Sequence, residues 1–232
     1  MFLSQAAINP RRRGARWLLA SPQRMHAAVL GGFAPGQTTT SAEGRLLWRV
    51  DQEEHHARLL VVSPEVPDFS GLVEDAGWPL NSPAQSKAYT PFLQRIVTGS
   101  TWHYRIRANP VKRVSQPDRR PSRVVPQVTA EHQAQWWLEK SAAIGLRVLD
   151  GPALVEPRRA ADTVAVSHRG TATFSRRDGD SDGRARVTLV TATFEGMAEV
   201  TDADAVRAAL TCGVGRAKGY GCGLLTLVSP RV

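Results

Sequence analysis

Two stretches of this chain carry side chains able to do chemistry on a phosphate. The first is Ser21-Pro22-Gln23-Arg24-Met25-His26, and the second runs Gly213-Val214-Gly215-Arg216-Ala217-Lys218-Gly219-Tyr220-Gly221-Cys222-Gly223. Histidine is the side chain whose ordinary pKa lets it give or take a proton near neutral pH. Five glycines in eleven residues let a backbone approach a ligand and point N–H groups at it, and Arg216 and Lys218 add attraction for an anion. The order of elements excludes the common nucleotide loops. A P-loop requires Gly-Lys-Ser/Thr opening into a helix, whereas Lys218 precedes Gly219 and no hydroxyl follows it. A dinucleotide fingerprint requires strand, glycines, then helix. Here a helix predicted over 202–211 comes first and an apolar strand over 224–228 comes last. Two readings stay open for the loop on these residues alone, a backbone loop facing phosphate or a surface loop that ends a helix, and two for His26, a ligand-accessible histidine at the edge of its helix face or an ordinary surface one.

Other clusters are weaker. Glu53-Glu54-His55-His56 holds metal-ligating types, but neighbours on a strand point to opposite faces, so a solvated turn is expected. Residues 178–183 (DGDSDG) match the first half of a calcium-binding loop. The position that should be Glu is Leu189, and a hairpin tip is the expectation. Only two cysteines are present, Cys212 and Cys222, with no CxxC, so neither a zinc site nor a disulfide framework is indicated. No metal and no cofactor is expected. The apolar N-terminal stretch is followed, not preceded, by Arg11-Arg12-Arg13, the wrong order for a secretory leader, and no apolar run has the length of a membrane span. A reducing cytoplasm fits best.

Charge points to a polyanion. The 232 residues carry a net charge of +9, and 26 of the 30 basic side chains are Arg, whose fork matches phosphate oxygens. The density peaks between residues 105 and 123. Arg105, Arg107, Lys112, Arg113, Arg119, Arg120 and Arg123 stand there against the single anion Asp118. Arg105, Arg107 and Asn109 would share one face of a strand. No aromatic motif for base stacking accompanies them.

These residues need elements to hold them. A strand is predicted over residues Phe2–Ile8, a helix over Pro22–Leu30 with Ser21 as cap, and strands over 45–50 and Ala57–Ser63. A short segment and a long strand region over 89–114 follow. The Pro- and Arg-rich stretch 110–126 reads as linker or exposed basic loop. A second half starts with a helix over 129–144 capped by Thr129, then strands at Leu146–Leu149, 163–167, 171–175 and 186–195. The first half follows the β-α-β-β-α-β order of a ferredoxin-like unit, and the helices and strands of the second half come in an order compatible with another. The expected organisation is α+β: tandem ferredoxin-like domains over residues 1–115 and 129–232, joined by a basic linker over 116–128, with the glycine-rich loop near the C-terminus.

Six pieces in this order resemble one family. They are MFLSQAAI at the N-terminus, a histidine in the helix over 22–30, YRIRANPVKR, AQWWLEKSAAIGLRV, FEGMAEVTDADAV and GVGRAKGYGCGLLTL. The resemblance spans essentially the whole chain. It is to the CasE family, the CRISPR-RNA-processing endoribonucleases of type I-E systems in the repeat-associated RNA-binding superfamily. That resemblance implies an enzyme that binds the hairpin of a CRISPR repeat and cuts at the 3′ base of the stem without a metal. Attack by the ribose 2′-OH would leave a 2′,3′-cyclic phosphate and a 5′-OH, and the enzyme would stay on its product as a Cascade subunit. The family's catalytic histidine falls on His26. Where the family often has Tyr, this chain has Gln23, which with Arg24 or Lys218 could meet a phosphate oxygen. The implied RNA contacts are Gln23, Arg24, Gly215, Arg216, Lys218 and Gly219, together with the basic residues of 105–123 and Arg158. A rival reading is a non-catalytic RNA-binding scaffold subunit of the same kind of complex, which would have no use for His26.

Overall fold

The computed structural model describes residues 1–37, 39–53, 55–78, 83–115, 122–149, 164–177 and 184–230. Strand β1 (Phe2–Ile8) is followed by helices α1 (Arg13–Leu19) and α2 (Pro22–Leu30), a two-residue ladder of β2 (Thr40–Ser41) and β3 (Gly44–Arg45), and strands β4 (Leu47–Gln52) and β5 (Ala57–Ser63). Then come α3 (Ser70–Ala76), β6 (Gln85–Ala88) and α4 (Thr90–Leu93). The second part contains β7 (Thr101–Ala108), the hairpin β8 (Val111–Val114) and β9 (Arg123–Pro126), α5 (Ala130–Ala143), β10 (Leu146–Leu149), β11 (Ala165–Arg177), β12 (Arg184–Val200), α6 (Ala203–Cys212) and β13 (Leu225–Val228).

The first sheet has the order β4-β5-β1-β6, all antiparallel, and the second runs β10-β12-β7-β13 with β11 added along β12. Counting each unit's strands from its N-terminus, and leaving aside the added β11, the orders are 2-3-1-4 in both, the ferredoxin-like arrangement. Tandem ferredoxin-like architecture is thus the observed fold.

The division between the units lies elsewhere than expected. β7 is hydrogen-bonded between β12 and β13, so it is the founding strand of the second sheet, not the end of the first unit. The sheets separate between residues 88 and 101, and a boundary after residue 115 would strip the second sheet of a central strand. The physical reason is that β7 alternates buried Trp102, Tyr104, Ile106 and Ala108 against α5 and α6, and only the second core offers that partner surface. Part of the expected linker over 116–128 is also paired, because Arg123–Pro126 forms β9 against β8. The long strand expected over 89–114 is broken. Pro91 starts α4 in its first turn, and β7 stops before Asn109-Pro110. The strands expected over 163–167 and 171–175 are one strand, with a register shift between Ser167 and Gly170. Helix α1 was not expected at all. Its only deeply buried side chains are Ala15 and Leu18, too few for a periodic signal.

Caps follow the sequence closely in two helices. Thr129 Oγ1 accepts the His132 N–H at 3.2 Å, and Asp202 Oδ1 accepts those of Asp204 and Ala205 at 3.0 Å each. Ser21 takes the N-cap position of α2 in extended backbone but makes no side-chain cap, leaving Pro22 to set the first turn.

The first sheet is covered on both faces. On one, Ala6, Ile8, Trp48, Leu59 and Val61 pack with Met25 and Val29 of α2 and Val73 of α3. On the other, Leu47 and Val62 join the second core, built around Trp136, Trp137, Phe194 and Tyr104. Because side chains alternate along β4, Trp48 points to α2 while Leu47 and Arg49 point to the second unit.

Arg49 is only 1% exposed, and its guanidinium is saturated. Nη1 donates to the carbonyls of Arg105 (2.8 Å) and Leu224 (2.9 Å). Nε and Nη2 clasp Asp51 at 2.7 and 2.9 Å, and Nη2 also donates to Thr226 Oγ1 at 2.9 Å. One side chain thus bonds β4 to β7 and β13, across the two sheets.

Arg49→Ala is expected to destabilise the fold by about 3–5 kcal/mol, because it removes the buried donor of the Leu224 carbonyl, breaks the two-pronged clasp on Asp51 and empties the space between the sheets. Chemical denaturation with a two-unit fit measures it. A loss under about 1 kcal/mol would show that the units dock without this bond.

Candidate functional site

His26 lies on the second turn of α2, half-buried, with Gln23 one turn before it on the same face. Its imidazole meets two other elements. From β4, Trp48 Nε1 donates a hydrogen bond to His26 Nδ1 at 3.3 Å. From the glycine loop, Gly219 comes so close that a methyl built on it would stand 3.5 Å from His26 Nε2.

The loop gets this close through its glycines. It leaves α6 at Gly213, whose φ is +74°, and a methyl there would run into Leu47 at 2.6 Å. It then makes one turn of 3₁₀ helix, Lys218–Tyr220, entered by Ala217 in the left-handed region and left by Gly221 at φ +76°. Gly221 lies flat on the Trp48 indole, where a methyl would stand 2.7 Å from Cζ3. The far end is anchored when the Gly223 N–H donates to the Arg107 carbonyl at 2.7 Å and Val214 N–H donates to the Gly223 carbonyl at 2.9 Å. Cys222 is fully buried, its thiol pKa pushed up to about 12 by burial, and serves packing.

Charge converges on the same spot. Burial, and secondarily the Arg45 guanidinium, lower the His26 pKa, which favours the neutral ring. The same two causes in the same order lower that of Lys218. Arg45, exposed on β3, and Lys218 have no carboxylate in ion-pair distance among the described residues. Two unneutralised cations beside a neutral imidazole suit an anion that arrives from outside.

Gly215 and Arg216 are exposed at the loop's outer edge. Arg24 is elsewhere: its guanidinium lies 4.7 Å over the Trp17 ring and donates to the Trp17 carbonyl, on the α1 side of α2 and away from the loop. Arg105 is neutralised by Glu195 and by Asp51 at 3.6 Å. Arg107 donates to Thr191 Oγ1 at 3.2 Å, has no carboxylate in ion-pair distance among the described residues, and lines a crevice with Arg105, Arg169 and Thr193. Lys112 pairs with Glu139 at 2.8 Å, and Arg113 and Arg123 stand exposed on the β8–β9 hairpin. Arg119, Arg120 and Arg158, like Glu54 and residues 178–183, lie outside the described residues. Arg45 and Trp48 were missed from sequence. Nothing local marks them, since Arg45 is one arginine among 26 and Trp48 reads as a core strand residue. Among the described residues no cluster of His, Cys, Asp and Glu could hold a metal ion, and no helix is long and apolar enough to cross a membrane.

A family model described as CRISPR associated protein matches residues 1–229. The CRISPR-associated endoribonuclease Cse3 of Thermus thermophilus is 31% identical over 230 residues, 98% of this chain and 99% of that protein. Among solved structures, CRISPR endoribonuclease Cse3 bound to a 19-nucleotide RNA superposes with a TM-score of 0.74 at 26% identity, covering 98% of this chain and all of that one. A chain of a CRISPR RNA-guided surveillance complex in a pre-nicking state superposes at 0.63 with 26% identity, covering 99% of this chain and all of that one.

Two neighbouring glycines are expected to respond oppositely to alanine. Gly221→Ala forces a left-handed β-carbon into the Trp48 ring and should cost about 1–3 kcal/mol of stability. Gly219→Ala has room and an ordinary φ, and should stay within about 0.5 kcal/mol of the parent in the same denaturation experiment. Equal losses would mean that the loop does not rest on Trp48.

Proposed function

This chain belongs to the CRISPR-associated protein family, and we propose that it is a metal-independent endoribonuclease that binds the CRISPR repeat hairpin and cuts precursor CRISPR RNA at the 3′ base of the stem. The observation that carries this reading is His26, whose Nε2 lies against the glycine loop, with Arg45 close enough to lower its pKa, Lys218 on that loop, and no carboxylate in ion-pair distance of either cation among the described residues. The Thermus relative is an endoribonuclease over essentially the same length, and a similar fold has been solved with RNA, which supports carrying the activity over.

The chemistry needs no co-reactant. The ribose 2′-oxygen forms a bond to the adjacent phosphorus, the P–O5′ bond breaks, and the 2′-OH proton is in net terms delivered to the 5′-oxygen. The products are a 2′,3′-cyclic phosphate and a 5′-OH. Negative charge builds on the phosphate oxygens and the leaving 5′-oxygen, where Lys218, Arg45 and the loop's N–H groups can meet it. Gln23, on the His26 face of α2, can offer its amide to a phosphate oxygen in place of a phenol. The stem is an A-form helix whose deep major groove hides base edges, so Arg107, Arg113, Arg123 and Arg216, with Arg119, Arg120 and Arg158, are proposed to read its backbone. A cut at the stem's base leaves most of those contacts intact. That is the physical basis for retention of the product and for a place in a surveillance complex, as the fold shared with a chain of one suggests.

His26→Ala should slow single-turnover cleavage of a synthetic repeat hairpin by about 10²–10⁴-fold while hairpin affinity stays nearly unchanged. Chelator should change nothing, and a hairpin with 2′-deoxyribose before the cut should bind without reacting. Parental cleavage by His26→Ala would move the site elsewhere, and binding without any cleavage by the parent would favour a scaffold subunit. Replacing Arg45 and Lys218 together by Ala should flatten the log–log salt dependence of binding by about 0.7–0.9 for each phosphate left without its cation. An unchanged slope would remove both from the RNA interface.

A further inference from the structure

Trp48 places its indole N–H against the His26 ring. It is 4% exposed, pinned on one face by Gly221, and projects from β4 toward α2. The two rings lie 17° from parallel with centroids 6.4 Å apart, and Nε1 reaches Nδ1 at 3.3 Å, so the contact is an edge-to-edge N–H···N bond. An indole nitrogen can only donate. Nδ1 must therefore offer its lone pair, and the single proton of the neutral imidazole resides on Nε2, the nitrogen that faces Gly219 and the loop.

We propose that Trp48 is a positioning residue that locks His26 as the Nε2–H tautomer, so that His26 meets the scissile phosphate as an N–H donor and not as the base for the 2′-OH. Protonating Nδ1 would set two N–H groups against each other. The bond thus opposes the imidazolium in the same sense as burial and Arg45 do. The charged groups on the elements packed around the ring are Arg45 from β3, Lys218 from the loop turn, Arg24 on α2 itself, turned away onto Trp17, and the Arg49–Asp51 pair of β4, which lies on the face of that strand opposite Trp48. A neutral N–H donor held in a fixed pose is well suited to stabilise charge developing on a phosphate oxygen or on the leaving 5′-oxygen. It also assigns the glycine loop a second task besides approaching RNA. Gly221 clamps the indole, the indole orients the imidazole, and only glycine lets the loop lie on that ring.

The inference rests on His26 being the catalytic group, and its first test is independent of that reading because it needs neither RNA nor a variant. Long-range ¹H–¹⁵N NMR on the free parental protein at neutral pH should show Nδ1 unprotonated and Nε2 protonated. A proton on Nδ1 would overturn the proposal. The second test is Trp48→Phe, which keeps an aromatic ring and deletes the N–H. The His26 titration midpoint should rise toward its ordinary value, the acid limb of the pH–rate profile should shift to higher pH with it, and single-turnover cleavage should fall about three- to tenfold at unchanged hairpin affinity. A midpoint and rate equal to the parent's would show that the indole only fills space.

Discussion

The buried guanidinium of Arg49 is the constraint on which the molecule's working arrangement depends. A charge taken out of water is tolerated only when every donor finds an acceptor. Here the acceptors come from three strands in two sheets: Asp51 on its own strand, the Arg105 carbonyl on β7, and Leu224 and Thr226 at β13. Apolar packing between the sheets, with Leu47 and Val62 pressed into the second core, would tolerate sliding by a fraction of a residue. A saturated hydrogen-bonding fork does not, because each displacement strands a buried donor or carbonyl. Arg49 therefore sets register between the units as well as holding them.

The site depends on that register. His26 and Trp48 belong to the first unit, while Lys218, Gly219 and Gly221 reach in from the second, and the meeting tolerances are tight. Gly221 has no room for a methyl against the indole, and Gly223 ties the loop to β7, the strand whose Arg105 carbonyl accepts from Arg49. The alternation of β4 ties the two features together. Trp48 and Arg49 are consecutive, so one faces the histidine and the other faces the second sheet. A shift in one is transmitted directly to the other.

The distribution of charge is more selective than a count of arginines suggests. Within the basic segment Arg105 and Lys112 are spent on carboxylates, and Arg49 is buried, so these contribute little attraction for a polyanion. Among the described residues, the cations of the candidate interface with no carboxylate in ion-pair distance include Arg45 and Lys218, Arg107 in the crevice, and the exposed Arg113, Arg123 and Arg216. A surface so organised keeps two cations, Arg45 and Lys218, at the meeting of α2 and the glycine loop, where the proposed reaction develops its charge.

By itself the sequence determined what is local. Helix α2, strands β1, β5 and β10, and the caps at Thr129 and Asp202 follow from periodicity, Pro at a first turn and side-chain oxygens placed to accept nearby N–H groups, all of which act within a few residues. His26 and the glycine loop stood out in the sequence as residue types suited to phosphate and through the family resemblance, but that they meet was not visible there. Only the tertiary structure decided which sheet owns β7, since an alternating strand fits either core until its partners are known. It alone showed that Arg105 is neutralised, that Arg24 is turned onto Trp17, and that Arg45 and Trp48 stand beside the imidazole. Those facts are contacts between residues far apart in the chain, and a side chain's charge, tautomer and availability are set by the neighbours that folding brings to it.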